Sequence, residues 1–101
     1  MNIGIVHNTK VFGGIENQIL SLVEQLASAY SFFYFTRNTN SRLAIELQKK
    51  HVSIVSLDDS LYHNYRIIKQ CTVKHNIGIL QIHTFDIGVK YRMYEFVIFQ
   101  Y

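Results

Sequence analysis

The sequence predicts an α/β protein with one parallel β-sheet of about five strands, in the order 3-2-1-4-5, and with helices on both faces. Three observations support this fold class. Short apolar runs alternate along the chain with segments whose apolar residues recur at helical spacing. Polar turn residues separate the two kinds of segment. The length of 101 residues leaves room for one small domain.

Composition excludes several classes of protein. With 49% hydrophobic and 17% charged residues, the chain is too apolar to be disordered. No apolar run approaches the ~18 residues of a membrane span, and the N-terminus has no signal-peptide pattern. The net charge is +3, but the basic residues are scattered, which does not indicate a nucleic-acid-binding face. The single cysteine, Cys71, fits a reducing compartment, so we expect a cytoplasmic protein.

The first β-α unit is clear from the pattern. A buried strand is predicted at residues 2–7, and a polar turn closed by Gly13 and Gly14 follows it. The apolar positions of the next segment form a helical stripe: Ile15, Ile19, Leu20, Val23, Leu26, Ala27 and Tyr30. We expect this stripe to face the sheet, and Glu16 to lie on the opposite face with the other polar residues, toward water.

The remaining elements follow the same alternation. Strands are predicted at residues 31–36, 52–57, 77–82 and 96–101, and helices at 43–50, 61–75 and 85–94. The polar segments 38–41 and 58–60 are predicted to form the turns and caps that precede two of the helices. Lys49 and Lys50 complement the dipole at a helix C-terminus.

Gly13 and Gly14 are the first candidate for a binding site. Glycines let a backbone approach a ligand closely, and the free amides at a helix N-terminus can bind a phosphate. A tight turn explains the same pair equally well. The dinucleotide fingerprint G-x-G-x-x-G and the P-loop motif are both missing from the sequence, which disfavours an ordinary NAD or ATP site.

Histidines give the second candidate site. His83 ends the fourth strand, where parallel α/β sheets hold substrates, and it is suited to proton transfer or to hydrogen bonding with a hydroxyl group. A structural histidine bonded to the backbone is the alternative. His7, at the end of the first strand, either lines the same cleft or faces solvent. Asp58 and Asp59 are adjacent residues before a helix, where caps are usual, and we expect no metal.

The motifs taken in order resemble a known family. The strand MNIGIVH, the segment Gly13-Gly14-Ile15-Glu16, a leucine-bearing helix and the strand IGILQIHTF are similar to the N-terminal domain of GT-B glycosyltransferases of the group 1, family 4 type. The resemblance covers about residues 2–85. Gln81 stands where the family often has the first of two histidines, and His83 matches the second.

This resemblance implies a function and a site. Such enzymes have two Rossmann-like domains with the active site between them. Gly13 and Gly14 would then face the diphosphate of a nucleotide-sugar donor, and His83 would be the catalytic-site residue that helps bind the acceptor or the sugar. The donor is a substrate, so no cofactor is expected. Residues 1–101 would be a partial N-terminal domain that lacks the C-terminal donor-binding domain and is inactive alone; a second domain would complete binding of the nucleotide-sugar and of a glycan or lipid acceptor.

A second class of function stays open. The last predicted strand, Phe96 to Tyr101, would lie at an open aromatic edge of the sheet, which favours self-association or pairing with a partner chain. The chain would then be a non-enzymatic α/β interaction module. A response-regulator-like protein is disfavoured because no acidic cluster follows the first strand.

Overall fold

The sheet has the predicted order and direction. The computed structural model describes residues 2–7, 14–82 and 99–100. All strand pairs are parallel, and the order is β3-β2-β1-β4-β5. The elements along the chain are β1 (Asn2–Val6), α1 (Gly14–Leu26), β2 (Ser31–Thr36), α2 (Arg42–Lys49), β3 (Ser53–Ser56), α3 (Leu61–Lys74), β4 (Ile77–Ile82) and β5 (Phe99–Gln100). The predicted fold class is therefore confirmed.

Some boundaries differ from the prediction. Strand β1 ends one residue before His7, and helix α1 ends at Leu26 although its apolar pattern continues to Tyr30. The amides of Ala29 and Tyr30 both donate to the Leu26 carbonyl, which forms a tight turn at the end of the helix. The predicted helix at 85–94 and most of the predicted last strand lie outside the described residues.

The two faces of the sheet carry separate apolar clusters. Side chains alternate between the faces of a strand, so Ile3 and Ile5 of β1 contribute to one cluster and Val6 to the other. The first cluster, on the side of α1 and α2, comprises Ile3, Ile5, Ile19, Val23, Phe32, Tyr34, Leu43, Ala44, Leu47 and Val52. The second, on the side of α3, comprises Val6, Phe35, Leu57, Ile68, Ile77 and Leu80. Helices cover both faces, as predicted.

Gly4 allows close packing in the central strand. A Cβ atom at this position would lie 2.8 Å from Cδ1 of Leu80 and 3.2 Å from Cε2 of Phe35. The absence of a side chain therefore lets two large residues of the second cluster meet over β1.

The first turn of α1 contradicts the predicted orientation. Ile19 and Val23 are buried as expected, but Ile15 is 45% exposed and Glu16 is only 6% exposed. The prediction that Ile15 faces the sheet and Glu16 faces water was wrong. The reason is a polar partner for Glu16 at the end of β1, described below.

The predicted helix caps are present. The Ser41 hydroxyl accepts from the Ala44 amide at the start of α2, and the Ser60 hydroxyl accepts from the His63 amide at the start of α3. Among the residues that the structure describes, no helix is long and apolar enough to cross a membrane.

Candidate functional site at the carboxyl edge of the sheet

The carboxyl ends of the strands define the region where a ligand is expected. β1 lies at the centre of the sheet between β2 and β4, and α1 connects it to β2. The strand order therefore reverses between β1 and β4, and open α/β sheets bind ligands beyond such a point. His7 follows β1 directly at this edge.

His7 is buried, although it lies in the segment that leaves the strand. Its amide donates to the Phe35 carbonyl at 3.1 Å, which continues the hydrogen bonding between β1 and β2 by one residue. The residue is 3% exposed. Of the two interpretations that the sequence leaves open, the solvent-facing one is wrong. By the alternation of side chains, His7 points to the α1 side of the sheet, as Ile3 and Ile5 do.

Glu16 of α1 meets the imidazole of His7. Nε2 of His7 lies 2.9 Å from Oε2 of Glu16, and the two side chains are 4% and 8% exposed. Glu16 is the third residue of the helix, so its negative charge also lies where the helix dipole favours it. A buried carboxylate is costly unless it is paired and hydrogen-bonded. This contact explains why the first turn of α1 directs a charged residue inward.

Tyr34 of β2 contacts Nδ1, the other nitrogen of the His7 ring. Its hydroxyl oxygen lies 2.9 Å from Nδ1 of His7, and its ring belongs to the first apolar cluster. Burial is the main cause that raises the pKa of Tyr34 well above its usual value; a hydrogen bond with Thr36 opposes this, and the charge of Glu16 adds to it. The phenol therefore stays protonated and is able to donate.

The protonation of the imidazole follows from its partners. Burial lowers the pKa of His7 below its ordinary 6.5, and the charge and hydrogen bond of Glu16 only partly oppose this. A neutral ring has one donor and one acceptor nitrogen, and an ionised carboxylate can only accept. Nε2–H therefore donates to Glu16, and Nδ1 accepts from the Tyr34 hydroxyl. We call His7, Glu16 and Tyr34 the buried trio.

Of Gly13, Gly14 and His83, only Gly14 is among the described residues. It is exposed and forms the first residue of α1. A Cβ atom built there meets no atom of the described residues within 4 Å, and its backbone is not left-handed. Neither crowding by these residues nor a special φ angle requires glycine at this position. Gly13 and His83 lie outside the described residues, so their predicted roles stay predictions.

Asp58, another candidate polar residue, has a structural role. The Asp58 carboxylate accepts from the Ser60 amide at 2.8 Å and contacts Nδ1 of His63 at the start of α3. Asp58 thus belongs to the turn before the helix, as predicted. No group of three or more His, Cys, Asp or Glu side chains within residues 2–7, 14–82 and 99–100 is arranged to hold a metal ion.

A groove lies along the outer face of α3. It has a volume of about 700 Å³ and is lined by Tyr62, Tyr65, Arg66, Lys69, Gln70, Val73 and Lys74. Tyr62 and Val73 are 61% and 70% exposed. The sequence predicts that Tyr62 and Tyr65 lie at the margin of the core or at an interface; Tyr65 packs against the second cluster, and Tyr62 does not belong to it.

The comparisons with known proteins support the fold. No protein-family model matches the sequence, and no curated protein matches it. A glycosyltransferase from Rickettsia africae ESF-5 superimposes on 98% of this chain with a TM-score of 0.76 and 16% identity, and the match covers 28% of that enzyme. The dTDP-glucose 4,6-dehydratase (rfbB) from Bacillus anthracis str. Ames, solved in complex with NAD, gives a TM-score of 0.64 and 15% identity over 99% of this chain and 36% of its own. The chain therefore has a Rossmann-like α/β fold, and it spans less than half the length of each of these two proteins.

Proposed function

We propose that this chain forms the N-terminal Rossmann-like part of a glycosyltransferase with the GT-B fold, which transfers a sugar from a nucleotide-sugar donor to an acceptor. The observation that carries the proposal is the superposition of 98% of the chain on a glycosyltransferase with a TM-score of 0.76. The order of Gly13-Gly14-x-Glu16 and His83 along the sequence agrees with it. The dehydratase shares the fold to a lesser degree.

The proposed donor site lies at the first turn of α1. The first amides of a helix have no partner within the helix and carry a partial positive charge, so they can bind a phosphate. Gly14 is exposed there, and a Cβ at this position finds no described atom within 4 Å. That space is where the diphosphate of the donor would approach the backbone. In this proposal the diphosphate also approaches the backbone closely at Gly13, and His83 binds the sugar or the acceptor.

Transfer itself needs groups beyond this part. Catalysis requires interactions that are stronger in the transition state than in the ground state, and a charged diphosphate leaving group has to be stabilised. The match covers 28% of the glycosyltransferase. We therefore expect the chain of 101 residues to bind the donor weakly and not to transfer the sugar without a second domain.

Replacing Gly14 by alanine tests the donor site directly. The new Cβ meets no described atom, and alanine is a better helix former than glycine, so the fold should persist. The same Cβ would occupy the space proposed for the phosphate. In an NMR titration with UDP-glucose or GDP-mannose, we expect amide shifts at Gly13, Gly14 and His83 in the original chain and weaker binding in Gly14→Ala.

The matched control is Gln18→Ala, an exposed substitution one turn further along α1. It should leave binding unchanged. NAD serves as the competing ligand, because the second structural neighbour was solved with it. Two results would contradict the proposal. One is amide shifts at Gly13, Gly14 and His83 with NAD but not with the nucleotide-sugars; the other is an equal loss of binding in Gly14→Ala and Gln18→Ala.

A further inference from the structure

The buried trio connects three elements at the edge of the sheet. His7 follows β1, Glu16 belongs to the first turn of α1, and Tyr34 belongs to β2. Both ring nitrogens of His7 are engaged, each at 2.9 Å. All three side chains are almost fully buried in a region otherwise filled by the first apolar cluster. Apolar residues of similar volume often give equal or greater stability at such a place, so core packing alone does not account for this set.

We infer that His7 is a positioning residue: it joins Glu16 of α1 to Tyr34 of β2 and thereby fixes where the first amides of α1 point. The inference rests on the proposed function only for the ligand, which is the diphosphate of a nucleotide. The position of the Gly14 amide is fixed by the trio whether or not a nucleotide binds.

The geometry explains how the trio constrains the helix start. Glu16 is two residues from Gly14 within the same turn, so a helix that slides or rotates on the sheet moves both together. The Nε2 to Oε2 contact limits that movement relative to β1, and the hydroxyl of Tyr34 limits the orientation of the His7 ring. Displacements near 1 Å are enough to weaken a preorganised binding site.

The trio also directs the charge of Glu16. A carboxylate at the start of a helix competes with an anionic ligand for the same partial positive charge. Oε2 of Glu16 faces the imidazole of His7, and the side chain is 8% exposed. The pairing therefore holds this carboxylate against the sheet, while Gly14, two residues earlier, stays exposed.

Tyr34→Phe tests the inference with the smallest change. It deletes the hydroxyl that contacts Nδ1 of His7 and keeps the ring within the cluster. Tyr30→Phe is the matched control, because Tyr30 packs against the same cluster and directly precedes β2, at the opposite edge of the sheet. In NMR spectra of the complete chain, Tyr34→Phe should shift the Gly14 and Ile15 amides and the Nδ1 resonance of His7. Tyr30→Phe should move none of them.

A titration with UDP provides the functional readout. Loss of one hydrogen bond in the trio should weaken UDP binding about fivefold, since a typical bond contributes ~1 kcal/mol. Tyr30→Phe should leave the Kd unchanged. The inference would be overturned if the Gly14 amide resonance does not shift in Tyr34→Phe, even where this variant is less thermally stable. It would also be overturned if Tyr34→Phe binds UDP with the same Kd as the original chain. If neither UDP nor GDP binds the original chain, the proposed function is wrong for this site, and the Gly14 amide alone then decides the positioning role.

Discussion

Within the part of the chain that the structure describes, two histidine–carboxylate pairs have the same chemistry and opposite surroundings. His7 and Glu16 join β1 to α1, and their side chains are 4% and 8% exposed. His63 and Asp58 lie at the start of α3, and theirs are 58% and 47% exposed. The first pair links segments that pack across the fold, whereas the second links residues five positions apart in one turn.

The different surroundings shift the pKa of His7 and the pKa of Asp58 through different causes. For His7, burial is the largest cause, and it lowers the pKa of the imidazole. For Asp58, the hydrogen bond from the Ser60 amide is the largest cause, the His63 contact is second, and both lower the pKa of the carboxyl group. The two contacts therefore have different consequences. The His7–Glu16 contact affects the packing of α1 on the sheet and the protonation of the His7 ring, whereas the His63–Asp58 contact affects only the turn before α3.

Substitution of His7 should give the largest effect. His7→Ala removes the neutral imidazole N–H that donates to the buried Glu16 carboxylate, and withdrawing a hydrogen-bond donor from a buried charged group costs about 3 kcal/mol. We expect the free energy of unfolding, measured with urea, to fall by about this amount. The double variant His7→Ala with Glu16→Gln should recover part of the loss, because it removes the buried charge. A loss below about 1 kcal/mol in His7→Ala would show that the buried pair resembles the exposed one.

The buried pair also predicts how stability depends on pH. His7 in the unfolded chain takes up a proton near pH 6.5, while burial lowers its pKa in the folded chain. Between these two values the unfolded state binds more protons, so stability falls as the pH decreases and is fully present above 6.5. Among the described residues, Glu16 and Tyr34 are the titratable groups that contact this ring.

Thermal unfolding at about pH 7.5 and about pH 5.5 measures this dependence. We expect a lower Tm at the acidic pH for the original chain and a smaller difference for His7→Gln. His63→Gln is the matched control and should keep the full difference. A difference that disappears in His63→Gln instead would assign the pH dependence to the exposed pair.

The two pairs also differ in how far the sequence determines their structure. Strand order and parallel direction were predictable because the alternation of strands and helices allows few topologies, and both are confirmed. The capping turn before α3 was predictable because its partners are close in sequence. The buried trio was not, because its members come from three elements and the helical stripe placed Ile15, not Glu16, against the sheet.

One signal in the sequence could have indicated the trio. Alternation along the strands places Ile3, Ile5 and His7 on one face of β1, and places Phe32 and Tyr34 on one face of β2. In the observed register Ile5 pairs with Tyr34. His7 follows Ile5 on the same face of the sheet, and its ring therefore lies within reach of the Tyr34 hydroxyl. The register depends on the pairing of distant strands and was not available from local pattern. The roles of Gly13 and His83 stay predictions.

The smallest effect is expected at the exposed pair. His63→Ala should change the free energy of unfolding by no more than the measurement error, and added salt should remove any difference, since exposed ion pairs are screened and contribute little.

The turn before α3 is stabilised instead by Asn64, which is fully buried: its side chain accepts from the Asp58 amide at 2.8 Å and donates to the Asp58 carbonyl at 2.7 Å. Asn64→Ala, the contrasting variant one residue away, should therefore cost about 2 kcal/mol. Equal losses in the two variants would mean that the exposed contact stabilises the start of α3 as strongly as buried hydrogen bonds do, and the distinction between the two pairs would then not depend on burial.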